Sequence, residues 1–168
     1  ERITLRRHHL GLAELMFRFV DRDRVRLREF LPWVDHTMEL ADEVNYIQTT
    51  QIKWDSYELY DYGIFRNADN QYLGNVGVHS IAWPHHRCEI GYWILGEFEG
   101  QGYMSESVLA LEKVCFKLEF HRIEIRCSSR NRRSARVPIR CGYRLEASLT
   151  QDSVEQGQFR DTLIFAKL

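Results

Sequence analysis

No stretch of the 168 residues stays apolar over the roughly 18 positions that a membrane-spanning helix needs, which excludes a helical membrane protein. The start, Glu1-Arg2-Ile3-Thr4-Leu5-Arg6-Arg7, holds no apolar segment of signal-peptide length, so a cytoplasmic address is expected. Proline is scarce, at positions 32, 84 and 138 only, and there is neither an internal repeat nor a low-complexity linker. Collagenous and disordered readings fall away with that. None of the four cysteines (Cys88, Cys115, Cys127, Cys141) forms a C-x-x-C pair, which disfavours a zinc ribbon or thioredoxin-like motif. Each lies in or beside an apolar run, where a thiol packs as a small hydrophobe. The paired histidines, His8-His9 and His85-His86, chelate poorly, because adjacent strand residues point to opposite faces. No metal site is expected.

What the chain does have is an ordinary globular balance, 44% hydrophobic and 28% charged residues, at a length that suits one domain over residues 1–168 and a sizeable core. The net charge of −1 conceals two blocks. Residues 35–69 hold Asp35, Glu39, Asp42, Glu43, Asp55, Glu58, Asp61 and Asp69 against Lys53 and Arg66. Residues 122–144 hold Arg122, Arg126, Arg130, Arg132, Arg133, Arg136, Arg140 and Arg144 against Glu124. One face is expected to attract an anion and another a cation, unless both are plain solvated faces. The basic block is not interleaved with exposed aromatics, so a nucleic-acid platform is disfavoured.

Periodicity orders the elements. Ile3 and Leu5 alternate with polar neighbours as a first strand, and Leu12, Leu15, Met16 and Phe19 recur at helical spacing. Leu27, Phe30, Leu31 and Val34 repeat that spacing into Leu31-Pro32-Trp33-Val34-Asp35, and Leu40, Val44, Ile47 and Trp54 give one further helical face. Tyr60, Tyr62 and Ile64 alternate up to the turn Asn67-Ala68-Asp69-Asn70, and Tyr72 to His79 returns as the second arm of a hairpin. Arg87 to Leu95 is a strand, 103–118 a strong helix, 122–128 a strand, and 131–140 a short helix stopped near Gly142. Tyr143 to Leu149 and Thr162 to Ala166 close the chain as strands. The order β-α-α-β-β-β-α-β-α-β-β, with a parallel crossover between strands 87–95 and 122–128, predicts a mixed α/β domain rather than an alternating nucleotide-binding sheet.

Two segments carry chemistry. Glu99-Gly100-Gln101-Gly102-Tyr103 lies between a strand and a helix; its glycines allow close backbone approach, and the helix behind them offers free N–H groups and a positive dipole end. That is a phosphate cradle or a bare turn. It lacks the third glycine of a dinucleotide fingerprint and the Gly-Lys-Ser/Thr of a P-loop. The second segment, Asn131-Arg132-Arg133-Ser134-Ala135-Arg136-Val137-Pro138, follows the next strand, so that Asn131 can bond both backbone and a ligand amide, and Ser134 lies one helical turn on.

On these residues, with Leu31-Pro32-Trp33, Glu89-Ile90-Gly91-Tyr92-Trp93, Gly142 and Tyr143, nearly the whole chain resembles the GNAT superfamily of N-acetyltransferases, and within it the branch that acetylates ribosomal-protein N-termini. The resemblance implies a central, mostly antiparallel mixed sheet splayed between its fourth and fifth strands and flanked by helices. It implies acetyl-CoA as donor, a protein N-terminal amine as acceptor, and allows a homodimer. Cofactor contacts would come from Trp93, Ile94, Leu95, the backbone of Glu99, Gly100, Gln101, Gly102, Tyr103 and Met104, and from Asn131, Arg133 and Ser134. Arg133 or Arg136 would meet the adenosine phosphate. Where the family usually has Gln or Arg, this chain has Glu97, which is expected to turn to solvent. Pro138 fills the slot of a common tyrosine acid, so the branch's serine, Ser134, would protonate the leaving thiolate. Glu89 is the first candidate for a base and Asp152 the second; Trp33 and Asp35 would meet the acceptor. The bland readings are a strand-edge salt bridge for Glu89, a surface hydroxyl for Ser134 and plain core for Trp33. A small-molecule amine acetyltransferase, acting on a polyamine or an aminoglycoside-like compound, and a non-catalytic acyl-CoA sensor or nucleic-acid-binding module are the competing functions.

Overall fold

In the computed structural model, which describes residues 1–168, the Ile3–Arg7 alternation forms strand β1. Ala13–Arg22 is helix α1, Arg24–Leu27 the single turn α2, and Leu40–Asp55 helix α3. The helical spacing of 27–34 is not one helix: α2 ends at Leu27, and Pro32–His36 is a separate 3-10 turn. Pro32 supplies the reason, since it removes an N–H and turns Leu31 towards extended backbone. Strands β2 (Tyr60–Arg66) and β3 (Tyr72–Ala82) form the expected hairpin, and β4 (Arg87–Ile94) follows. Helix α4 is Tyr103–Lys117, strand β5 Arg122–Ser128, and helix α5 Arg132–Arg140. The closing strands β6 (Arg144–Glu155) and β7 (Gln158–Lys167) run well past the expected 143–149 and 162–166. The extra length is solvent-facing edge, where no apolar alternation marks a strand. A tight turn with positive φ at Gln156 and Gly157 joins it.

The seven strands make one mixed sheet in the order β1-β2-β3-β4-β5-β7-β6. Only β4 and β5 run parallel, and they pair over three positions: Arg87↔Arg122, Cys88↔Ile123 and Glu89↔Glu124. Beyond Glu89 the two strands diverge. On one face α4 packs beneath β1, β3 and β4, and α5 against β5 and β6. α3 packs on β2 and α1 on α3, so Phe19 meets Tyr72, and Tyr46 donates to Asp61. The core runs through both layers, with Ile64, Leu73, Val76, Leu111, Cys115 and Ile123 sealed from solvent. All four cysteines are free thiols, three of them buried.

A polar cluster lies within that core. Asp61 accepts from Tyr46 and approaches Nε2 of His8 at 3.1 Å, while the Tyr72 hydroxyl donates to Oδ1 of Asn75 at 2.6 Å. Glu43, on α3, is buried beside it, and burial raises its pKa to about 7 against the pull of His8. At the other end of the hairpin, Gly74 has a φ of +150°, and a Cβ there would overlap the Trp93 carbonyl oxygen. Only glycine lets β3 approach the end of β4 so closely.

Candidate active site

Where β4 and β5 part, a cleft of about 430 Å³ opens. Its floor is Tyr92, Trp93 and Ile94; one wall is the start of α4 and the other is α5. The Leu95 N–H bonds to the Leu73 carbonyl on β3 at 2.8 Å. Successive residues of a strand point their backbone groups to opposite sides, so Tyr92 and Ile94 present theirs to the gap. There the Ile94 carbonyl is held by Arg26 Nη2 at 2.6 Å, and β5 offers no strand partner.

At the cradle, the N–H groups of Gly100, Gln101, Gly102, Tyr103, Met104 and Ser105 make no hydrogen bond within the protein. Gly100 and Gly102 have φ of +74° and +85°, and a Cβ on Gly100 would meet nothing within 4 Å. Six open donors thus gather at the head of a fifteen-residue helix. That is the arrangement a diphosphate needs. Arg2, just before β1, steadies the turn by donating to the Gln101 carbonyl at 3.1 Å and pairing with Glu106 at 3.0 Å.

Across the gap, Asn131 caps α5: its Oδ1 accepts from the Ser134 N–H at 3.0 Å, which leaves its amide nitrogen open. The Tyr92 hydroxyl donates to the Ser134 carbonyl at 3.0 Å and accepts from the Ser134 hydroxyl at 3.4 Å. Burial pushes the Tyr92 phenol well above its ordinary range, so it stays a donor at neutral pH. Tyr92 is therefore a strut from β4 to α5 across the divergence. Arg136 and Arg140, one turn apart, line the cleft without a carboxylate partner.

Several expected residues stand elsewhere. Leu95 is buried and its N–H turned to β3, so it does not face the cleft. The Glu99 N–H bonds to the Gly96 carbonyl at 3.2 Å and is not an open donor. The Glu99 carboxylate does line the cleft, clamped by Arg26 at 2.6 Å and by Arg133 at 2.5 Å, so Arg133 is already neutralised. Gln101 is exposed outside the lining, its amide nitrogen bonded to the Glu97 carbonyl at 2.9 Å. Glu97 faces solvent and pairs with Arg22. Glu89 sits on the paired half of β4, 3.5 Å from Arg126, and Asp152 is exposed on β6; neither lines the cleft. Trp33 packs on Trp93, ring centroids 5.8 Å apart, and Asp35 pairs with Arg28 at 3.2 Å. Phe30 and Leu31, rather than Trp33 and Asp35, line the cleft. Sequence reasoning missed Arg26 and Arg140 as cleft residues, and the bond of Tyr92 to Ser134 across the gap. Arg140 was findable from its i+4 spacing to Arg136; the contact of Arg26 with Ile94, 68 positions away, had no local signal.

A family model described as an acetyltransferase (GNAT) domain matches residues 2–144. The chain belongs to the GNAT acetyltransferase family. The putative ribosomal N-acetyltransferase YdaF of Bacillus subtilis (strain 168) is 30% identical over 101 residues, 60% of this chain and 55% of that protein, so the match spans about half of that relative's length. The ribosomal-protein-serine acetyltransferase of Escherichia coli (strain K12) is 23% identical over 154 residues, 91% of this chain and 85% of that protein. In fold, the microcin C7 self immunity acetyltransferase MccE, solved with acetyl-CoA and AMP, superposes with a TM-score of 0.94 at 22% identity, covering 100% of this chain and 93% of that one. The mixed sheet with its parallel β4/β5 pair is thus that of a GNAT fold. No helix is long and apolar enough to cross a membrane.

Proposed function

We propose that this GNAT protein transfers an acetyl group from acetyl-CoA to the N-terminal α-amine of a protein, by direct attack in a ternary complex. One observation carries the choice of acceptor: the only carboxylate lining the cleft, Glu99, is held by two arginines, while Arg136 and Arg140 stand free. Such a cleft suits an anionic donor and repels a polycation, which disfavours the polyamine and aminoglycoside-like alternatives. It also offers no strong base. An α-amine, with a pKa of about 7.8, is roughly a tenth neutral at pH 7, whereas a lysine amine at about 10.4 is neutral about one time in 2,500. An acceptor that is partly neutral already needs only a water path to deprotonate.

The residues fit the donor. The N–H groups from Gly100 to Ser105 would hold the diphosphate, Arg136 and Arg140 the remaining phosphate, and the gap-facing edge of β4, with the Asn131 amide, the amide-bearing arm. When bound, acetyl-CoA supplies the activated acetyl thioester. The Ile94 N–H is offered to the acetyl oxygen as charge builds on it. Ser134 keeps its hydroxyl proton on a long, weak bond to Tyr92, so it can turn and give that proton to the leaving sulfur. With Glu89 tied to Arg126, the amine's proton passes to water, which returns a proton to the Ser134 oxygen so that no net charge is left on the chain.

Acetyl transfer to Ser- and Ala-starting peptides, measured against transfer to spermidine, tests the reading; equal or better turnover of spermidine overturns the acceptor. Ser134→Ala is expected to lower kcat about 10- to 100-fold with acetyl-CoA affinity nearly unchanged.

A further inference from the structure

The geometry points to Asp23 and Arg26 as a surrogate for one residue of a parallel strand, a pair that plugs the end of β4 so that the sheet stays open and the Ile94 N–H is held in place. In a parallel ladder, a single residue of the neighbouring strand engages two groups, the C=O of residue i−1 and the N–H of residue i+1. Around Leu95 these are the Ile94 carbonyl and the Gly96 N–H, both turned to the gap. β5 takes neither, because its pairing with β4 ends at Glu89↔Glu124. Arg26 Nη2 donates to the Ile94 oxygen at 2.6 Å, and Asp23 Oδ2 accepts from the Gly96 N–H at 2.9 Å. The two side chains are locked together, Arg26 Nε lying 3.0 Å from both Asp23 oxygens. One donor and one acceptor, fixed relative to each other, thus reproduce what a strand residue would offer.

The consequence is positional. The terminal groups of β4 are satisfied without β5, so closing the sheet there gains no hydrogen bond. The Tyr92 backbone and the Ile94 N–H are left as the open part of the edge. Because Asp23 and Arg26 belong to the segment that leads to Phe30, Leu31 and Trp33, the acceptor side is tied to the same strand end. Arg26 Nη1 also holds Glu99 at 2.6 Å, which ties the cradle in as well. The pair positions the oxyanion donor; it does not itself touch the reacting atoms. This inference rests on the acetyl-transfer reading for its catalytic consequence, but not for the strand mimicry.

The test has two arms. In the unliganded protein, Arg26→Ala and Asp23→Ala are each expected to shift the backbone amide resonances of Ile94 and Gly96 and to speed exchange of the Gly96 amide hydrogen; unmoved amides in both variants overturn the mimicry. In turnover, Arg26→Ala is expected to lower kcat about 30-fold while KM for the peptide changes less than about threefold, with partial recovery in millimolar guanidinium. Amides that move while kcat stays within about twofold overturn the positioning role. A wild-type protein that transfers no acetyl group sinks the proposed function instead, and the amide arm still judges the pair. Should Arg26→Ala fail to fold, Arg26→Lys keeps the charge but not the fork that serves Asp23 and Ile94 together, and the same two readouts apply with smaller changes.

Discussion

Two regions of the molecule use charge in opposite ways. On the cofactor flank, open groups accumulate: six backbone N–H groups at the cradle and the guanidinium groups of Arg136 and Arg140. Across the acid-rich segment 35–69, outside the cleft, most acids are instead engaged at short range. Asp35 pairs with Arg28, Asp55 with Arg7 and Asp69 with Arg66, while Glu39 and Asp42 form the capping box of α3. Asp61 and Glu43 are buried in the polar cluster. The acidic block therefore carries less unpaired charge than its composition suggests, with Glu58 exposed and without a cation partner. A block's formal charge informs about recognition only after its internal pairs are subtracted. Those pairs formed where arginines lay within reach, on neighbouring elements or three residues away.

The largest effect should come from closing the open flank. Gly100→Asp puts a side chain into the empty space before α4 and a carboxylate beside the expected diphosphate, at a φ of +74° that Asp tolerates better than most residues. Acetyl-CoA affinity by calorimetry is expected to fall at least about 100-fold, near 2.7 kcal/mol, with the fold retained. Unchanged affinity would erase the distinction between the two regions. Next comes pH. The Glu43 carboxyl, raised to about 7 by burial, costs the fold nothing while it is protonated in both states, and the unfolded state gains as its carboxyl ionises first. Its contribution is complete below about pH 4.5 and is lost as pH rises through about 7. Denaturation between pH 5 and pH 8 should lose about 2 kcal/mol from this group, and Glu43→Gln should flatten the curve. An equally steep curve in the variant would remove Glu43 as its source.

Legibility followed the same division. The cradle, the Asn131 cap and the β4–α4–β5 crossover are local: glycine, a strand end and a helix start suffice to place them. The helix over 27–34 failed because apolar spacing cannot register that Pro32 splits it into two turns. Glu89 lies outside the cleft lining because it falls on the last paired rung of β4, and the point of parting is not written in strand alternation. The bonds made by Arg26 and Tyr92 were invisible because their partners, Ile94 and Ser134, lie 68 and 42 positions away.

On the acceptor flank, Trp33→Ala should act through shape. Trp33 supports Trp93 and packs with Leu27 and Val34, so its loss lets the cleft's floor and its apolar wall drift apart. Peptide KM is expected to rise about fivefold and kcat to fall less, with acetyl-CoA affinity within about twofold of wild type. An equal loss of cofactor affinity would show that the flanks are not separable at Trp93.

The smallest effect is the most discriminating, because it compares neighbours on one helix. Arg133 and Arg136 both line the cleft from α5, yet Arg133 already bonds Glu99 while Arg136 has no partner. A phosphate arriving at Arg136 displaces only water; at Arg133 it competes with a carboxylate. Arg136→Gln should therefore weaken acetyl-CoA binding about fivefold and reduce its salt dependence. Arg133→Gln should change affinity less than twofold, because Glu99 keeps Arg26 as partner. The reverse order would mean that the Glu99–Arg133 pair opens when the donor binds. The clamp would then belong to the cofactor site, and the cofactor flank would hold one paired charge in reserve.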